Sequence, residues 1–166
     1  MKTFALTSLL LAGFFASALA VELTDRDKKF INDTAIAGMT EVRLGAVAKD
    51  RATKSGVKDF GAMMAEDHTK ANAKLKELAT AKGIALPGEL DSKHQNVADK
   101  LGKLAGAEFD KAYVEEMISG HKKVIDAFED AAKNADDADL KAFANDTLPV
   151  LRGHLNTVQS LEEQVK

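Results

Sequence analysis

Three histidines and two carboxylates have the residue types and the spacing of a metal site. His68, His121 and His154 each fall on the apolar face of a separate predicted helix, and Glu41 falls on the apolar face of another. Asp67 directly precedes His68. Imidazole nitrogens and carboxylate oxygens are the side-chain groups that bind Zn²⁺, Fe²⁺, Mn²⁺ and Cu²⁺ in proteins. The five residues therefore predict a transition-metal site.

The positions of these residues along their helices allow them to meet. His68 and His121 lie at the centres of the second and third long helices, while Glu41 and His154 lie a few residues past the centres of the first and fourth. With a rise of ~1.5 Å per residue, these offsets amount to at most about one helical turn. Helix bundles build buried metal sites from side chains on facing helices. We predict one metal ion, with Asp67 as a fifth ligand or as a group that orients a ligand.

The same pattern has a second interpretation, in which the polar residues form a hydrogen-bonded layer that only fixes helix register. A single histidine on an apolar helix face is more often a hydrogen-bonded core residue than a ligand. The protein would then be a structural or interaction protein that is insensitive to metal. His94, out of register with the others, is predicted at the surface, and Met64 and Met117 are predicted as core filler rather than copper ligands.

No catalytic signature accompanies the histidines. A ferritin-type di-iron centre needs Glu-x-x-His on two helices and a Glu from each of the other two. The residues three before the candidate ligand histidines are instead Ala65, Ile118 and Leu151. The chain also lacks the Gly-x-Ser-x-Gly, phosphate-loop and His-Glu-x-x-His motifs. The sequence therefore favours a non-enzymatic protein over an oxygen- or peroxide-handling metalloenzyme.

Four long amphipathic segments must position the site. Apolar and small residues recur at three- and four-residue steps, the period of a helix with one buried face. Small residues at Ala37, Gly38 and Gly45 would let a neighbouring helix approach the first helix closely. The predicted long helices span residues 24–50, 55–82, 107–134 and 139–164, and a short helix spans 91–105.

The lengths of the connections predict the arrangement of the helices. Short turns near residues 53–56 and 134–137 predict two antiparallel hairpins. Residues 83–106 form a connection long enough to cross a whole bundle. Pro149 should kink the last helix or mark a fresh helix start after Asp146. We predict an all-α, ferritin-like four-helix bundle with a long crossover that carries a short extra helix, and a plain up-and-down bundle is the alternative.

The first 20 residues have the features of a signal peptide. Lys2 supplies the basic start, residues 4–15 are an apolar run without charge, and Ala18-Leu19-Ala20 is a cleavage site before Val21. The apolar run is shorter than a membrane-spanning helix normally requires. We expect a periplasmic or secreted protein whose residues 21–166 form a single domain.

Composition excludes several classes of protein. The chain of 166 residues has no cysteine, so disulfides, thiol nucleophiles and iron–sulfur clusters are excluded. Its net charge is −3 with both signs interspersed, which argues against a nucleic-acid partner. Nothing in the sequence specifies a protein partner or an oligomeric state.

Several fragments of the chain resemble one bacterial family. They are Glu41-Val42-x-Leu44-Gly45, Met64-x-x-Asp67-His68, Leu86-Pro87, Phe109-Asp110-x-x-Tyr113 followed by His121, and Leu148-Pro149-x-x-x-x-His154. Together they resemble the domain of unknown function 4142 family, whose members are often labelled "putative outer membrane protein". The resemblance implies an exported ferritin-like bundle and matches all five site residues, but it implies no activity. The outer-membrane label itself finds no support in the sequence.

The leading hypothesis is therefore an exported, non-enzymatic helical bundle that binds a single transition-metal ion and serves in envelope stress or metal handling. The identity of the ion is left open between zinc, iron, manganese and copper.

Overall fold

Four long helices and one short helix account for most of residues 22–166, the part of the chain that the computed structural model describes. The predicted signal peptide lies outside these residues. The helices are α1 (Asp25–Arg51), α2 (Ser55–Ala81), α3 (Ser92–Leu101), α4 (Gly106–Asn134) and α5 (Ala138–Glu162). Residues 22–166 contain no strand, and the predicted all-α class is confirmed.

The helix ends follow the signals in the sequence. Thr24 caps α1 by accepting a hydrogen bond from the Asp27 N–H. Gly83 ends α2 with a positive φ of 68°, the left-handed conformation that glycine adopts without steric cost. The long helices begin and end within two residues of their predicted bounds. The short helix α3 ends at Leu101 rather than at 105, because Ala105 takes the extended conformation of the residue before α4.

Contacts at the helix ends fix the direction of each helix. The Arg26 side chain, in the first turn of α1, donates to the Asn134 carbonyl at the end of α4. Lys82, directly after α2, lies 2.6 Å from Asp137, directly before α5. Neighbouring helices are therefore antiparallel, whereas α2 and α4 are parallel. The connection between α2 and α4 must run the length of the bundle and carries α3, which is the predicted single-crossover arrangement.

Two buried aspartates join the hairpin α1–α2 to the hairpin α4–α5. Asp110, near the start of α4, accepts hydrogen bonds from the backbone N–H groups of residues 53–54 in the α1–α2 turn, both at 3.0 Å. Asp27, in the first turn of α1, accepts from the N–H groups of residues 136–137 in the α4–α5 turn, both at 3.2 Å. Asp27 lies three residues after Thr24, the capping-box position from which a side chain can complete a local helix cap. Its carboxylate instead closes the turn of the other hairpin.

Close packing of α1 against α2 positions Glu41 and His68, two of the predicted site residues. A Cβ atom added to Gly45 would lie 2.5 Å from the Gly61 carbonyl oxygen, closer than side chains are observed to pack. A Cβ atom added to Gly38 would collide with the Asn72 carboxamide. Gly38 and Gly45 lie about one turn on either side of Glu41, and the close approach of the two backbones at Gly45 and Gly61 is therefore about one turn from Glu41.

A polar layer divides the apolar core into two clusters. On α1 the first cluster ends at Ala35 and the second begins at Leu44. On α4 the corresponding limits are Ile125 and Met117. The predicted site residues lie in the gap between the two clusters. The arrangement confirms that the polar residues share one layer.

Pro149 lies inside a continuous α5 rather than at a fresh helix start. The buried side chains of Leu148 and Leu151, on either side of it, pack into the core and hold the segment in the bundle. The helical conformation therefore persists through the proline, although proline removes one backbone hydrogen bond.

Substitution of Gly45 by alanine should destabilise the protein by about 1–3 kcal/mol, because the added methyl group forces α1 and α2 apart. Urea denaturation with chelator present measures the free energy of unfolding. Gly153→Ala is the matched control, since its added Cβ would meet no atom within 4 Å, and it should stabilise the helix by roughly 0.5–1 kcal/mol. Equal stability of Gly45→Ala and the wild type would show that the two helices do not pack this closely.

Candidate metal centre

The three predicted histidine ligands meet inside the bundle. His68 on α2, His121 on α4 and His154 on α5 are 6%, 0% and 3% exposed, and the distances between their ring centroids lie between 5.4 and 5.9 Å. Glu41 on α1 is also buried, whereas the Asp67 side chain is 33% exposed. The structure therefore brings together all five residues that the sequence predicted.

The fourth histidine of the chain is not part of this group. His94 lies on α3, where its Nδ1 is 2.7 Å from the carboxylate of Asp91, the residue that caps the start of this helix. It is partly exposed, in agreement with the prediction.

Each of the three histidines uses one ring nitrogen for a contact within the protein. Two of these contacts are to carboxylates and one is to a main-chain carbonyl. The pairs are His68 Nδ1 with Glu41 Oε2 (3.0 Å), His121 Nδ1 with the Met117 carbonyl oxygen (3.0 Å), and His154 Nε2 with Asp67 Oδ2 (3.1 Å). A carbonyl oxygen only accepts hydrogen bonds, so His121 carries its proton on Nδ1 and presents a lone pair at Nε2.

The other nitrogen of each ring is buried without a hydrogen-bond partner. These atoms are His68 Nε2, His121 Nε2 and His154 Nδ1. Leaving a buried polar atom unpaired costs about 1–3 kcal/mol, so three such atoms in one layer need an explanation. One ligand nitrogen from each ring lies within 4.8 Å of the other two. Tetrahedral Zn²⁺ with bonds of ~2.0–2.1 Å would hold its nitrogens roughly 3.4 Å apart, which requires the rings to move by little more than an ångström.

Burial keeps the imidazoles in the neutral form that binds metals. Burial, with smaller effects of His121 and His154, lowers the pKa of His68 to about 3, against an opposing effect of Asp67. Burial and the nearby His154 lower the pKa of His121 to about 4. Both rings are therefore uncharged at neutral pH, and no proton has to leave them before a cation binds.

Burial also disfavours the charged form of Glu41 and raises the pKa of its carboxyl group to about 8. Glu41 Oε2 contacts His68, but Oε1 lies 3.7 Å from His121 Nδ1, too far for a hydrogen bond. Glu41 therefore contacts Nδ1 of His68, which is not one of the three unpartnered nitrogens. That Glu41 itself is a ligand stays a prediction, as does a ligand role for Asp67.

Two groups near the site were not predicted as part of it. The Met117 carbonyl gives no side-chain signal in the sequence. The hydroxyl of Tyr113 is buried without a partner, and burial together with Glu41 raises its pKa. Phe60 lies edge-on to both Tyr113 and His154, with ring centroids 6.2 and 6.4 Å away. The eight-residue spacing of Tyr113 and His121, which puts both on one face of α4, was the available signal.

Comparison with known proteins gives a family and a fold. Residues 14–161 match the family described as "Domain of unknown function (DUF4142)". The fold is similar to the crystal structure of a DUF305 fragment from Deinococcus radiodurans, with a TM-score of 0.76 and 12% identity over 87% of this chain and 99% of that one. At this identity the similarity shows the fold alone. No curated protein matches the chain. None of the helices within residues 22–166 is long and apolar enough to cross a membrane.

Acidification should destabilise the metal-free protein through His68 and His121. The pKa of each of these two side chains is lower in the folded state than in the unfolded chain. Their contribution to stability is therefore complete above a pH of about 6.5 and is lost as the pH falls toward 4. Each proton that only the unfolded chain binds costs about 1.4 kcal/mol per pH unit. Urea denaturation in chelator between pH 7 and 5 should therefore show a steeper loss for the wild type than for His68→Asn/His121→Asn.

The pKa shift of Glu41 changes the stability with pH in the opposite direction, so the experiment needs a control for it. Its raised pKa contributes stability that is present below about 4.5 and is lost as the pH rises through about 8. Comparisons below pH 7 should therefore use a Glu41→Gln background as well. Parallel stability curves for the histidine variant and the wild type in both backgrounds would contradict the burial of the two rings.

Proposed function

The chain belongs to the DUF4142 family, and we propose that it binds one transition-metal ion through His68, His121 and His154. Two observations support this: each of the three buried rings has one nitrogen without a hydrogen-bond partner, and one nitrogen of each ring lies within 4.8 Å of a nitrogen of the other two. A cation bound between them would take the place of three missing hydrogen bonds. A layer that served only to fix helix register would gain nothing from leaving these atoms unpaired.

The chemistry of the ligands selects among the ions. Three neutral imidazoles suit zinc and copper better than manganese, magnesium or calcium, which prefer carboxylate and carbonyl oxygens. Three protein ligands also leave a position for an exogenous fourth ligand. We therefore favour Zn²⁺ and Cu²⁺ within the broader set of zinc, iron, manganese and copper.

The two carboxylates orient the ligands and balance charge. Asp67 accepts from the outer nitrogen of His154, and Glu41 lies against the outer nitrogen of His68. With a cation bound, the ionised form of Glu41 is favoured, and it accepts the Nδ1–H of His68 so that Nε2 faces the ion. Two such carboxylates offset the charge of a divalent ion held by neutral imidazoles.

The single crossover of the bundle supports a relation to ferritin-like proteins. The absence of Glu-x-x-His in the long helices makes the proposed centre mononuclear rather than di-iron. A buried single-ion site without a catalytic motif fits storage or buffering of a metal rather than turnover.

We place this activity outside the cytoplasm, on the strength of the signal-peptide pattern in residues 1–20. The mature protein should begin at Val21 and appear in the fraction released by osmotic shock of the source bacterium. Amino-terminal sequencing of the released protein checks this. Recovery of a chain that still begins at Met1, in the cytoplasmic fraction, would contradict it.

Removal of one ligand should abolish metal binding. The wild type should bind about one equivalent of Zn²⁺ or Cu²⁺ and melt at a higher temperature with metal than with chelator. His121→Ala should lose both effects. His94→Ala is the matched control, because His94 lies outside the site, and it should bind as the wild type does. Asp67→Asn should weaken binding by about 10–100-fold without changing the stoichiometry. Isothermal titration calorimetry and elemental analysis measure these effects.

The competing function is a metal-independent polar layer that fixes helix register. It is favoured by two contacts that join α2 to its neighbours: the hydrogen bond between Asp67 and His154 on α5, and the 3.0 Å contact between His68 and Glu41 on α1. Under that function, no ion changes the melting temperature, and His68→Leu/His154→Leu stays folded and gains stability. Unchanged metal binding by His121→Ala would show that the ion binds elsewhere.

A further inference from the structure

An open trough runs along the outside of the bundle between α1 and α4. Its volume is about 580 Å³, and the start of α3 forms one of its walls. Apolar side chains of Ile36, Val124 and Phe128 line it, together with charged residues of both signs at the rim. Glu41 also lines the trough, although it is only 6% exposed. The trough therefore brings solvent next to one residue of the buried layer.

A second, smaller cavity lies on the inner side of the same residues. Its volume is about 20 Å³, enough for one water molecule. His68, Asn72 and Thr147 also line it, and none of these three residues lines the trough. Five residues line both the trough and this inner cavity, namely Thr34, Ala37, Glu41, Val124 and Phe128. The side chains of these five residues form a wall between the trough and the cavity beside His68.

Glu41 is the polar, flexible member of that wall at the level of the histidines. Its carboxylate contacts His68 and lies 3.7 Å from His121 Nδ1. Among the five predicted site residues, Glu41 alone lines both cavities. Glutamate has several side-chain torsions, whereas Ala37 has none and Val124 is restricted at its first torsion. A rotation of Glu41 can therefore open the wall without a change in the backbone.

We propose that the trough between α1 and α4 is the entrance to the metal centre, and that the Glu41 carboxylate is the group that an incoming cation meets first. The proposal rests on the proposed metal-binding function. The ion contacts the Glu41 carboxyl group from the trough, and rotation of Glu41 lets it pass Val124 to His68, the ligand that lines the inner cavity. The same path run in reverse releases the ion to a chelator.

The competing entrance is the seam between α2 and α5, where Asp67 reaches the solvent. Asp67 lines neither the trough nor the inner cavity. The Lys70 ammonium group also lies 3.7 Å from Asp67, where it repels an approaching cation. Both observations favour the trough.

Two glycines offer a matched test. Gly120 lines the trough and directly precedes His121, while Gly153 directly precedes His154 and lines neither cavity. A Cβ atom added at either position would meet no atom within 4 Å. Gly120→Trp should therefore obstruct the entrance, and Gly153→Trp places the same side chain next to a ligand without obstructing it.

The measurement is the rate of Zn²⁺ uptake and of Zn²⁺ removal by a chromophoric chelator in a stopped-flow instrument. Gly120→Trp should slow both rates by about tenfold or more and leave the equilibrium affinity unchanged, because only the barrier rises. Gly153→Trp should keep the wild-type rates. Glu41→Gln should slow uptake, since the Glu41 carboxyl group can lose its proton to bind the incoming cation and an amide cannot. Melting curves in chelator confirm that each variant is folded.

The outcomes separate this proposal from the metal-binding function. Failure of the wild type to bind Zn²⁺ or any other transition-metal ion would overturn the function itself. Normal Zn²⁺ binding with wild-type rates in Gly120→Trp would overturn the entrance alone. Faster uptake by Lys70→Ala, with no change in Gly120→Trp, would place the entrance at the α2–α5 seam.

Discussion

The site depends on one constraint: the two nitrogens of each buried histidine ring have different roles. One nitrogen of each ring is fixed by a carboxylate or a main-chain carbonyl, and this contact sets the ring's rotation and leaves the other nitrogen facing its neighbours. The helices can satisfy this constraint only in one register. A shift of α2 along α1 by one turn would separate His68 from Glu41, and the glycine contacts around Glu41 resist such a shift.

Much of this arrangement could be predicted from the sequence because the helical period is long and regular. The spacing of apolar residues located each long helix, and counting from the helix centres placed Glu41 and the three histidines in one layer. The sequence could not reveal which nitrogen of a ring faces inward, because that depends on side-chain rotation and on partners from other helices. The Met117 carbonyl and the long-range contact of Asp27 were missed for the same reason: main-chain acceptors and tertiary partners leave no periodic pattern.

The polar layer is costly for a core of this size, and the fold accommodates the cost by placing apolar clusters above and below it. Each cluster draws on both hairpins, so neither hairpin has a complete core alone. The aspartates Asp27 and Asp110 strengthen this dependence, since each hairpin supplies the carboxylate that completes the turn of the other. Folding of one hairpin is therefore coupled to docking of the second at both ends of the bundle and at its centre.

The three histidines come from distant parts of the chain, so an ion bound to all three would link those parts. His68 belongs to one hairpin, whereas His121 and His154 belong to the other, and the long crossover lies between them in sequence. An ion held by all three would act as a cross-link, as a disulfide does, in a chain that has no cysteine, and it would close one loop of 53 residues (121 − 68) and one of 33 residues (154 − 121). With Zn²⁺, which has no redox chemistry, such a cross-link is indifferent to the redox state of its surroundings and is undone by chelation instead of by reduction.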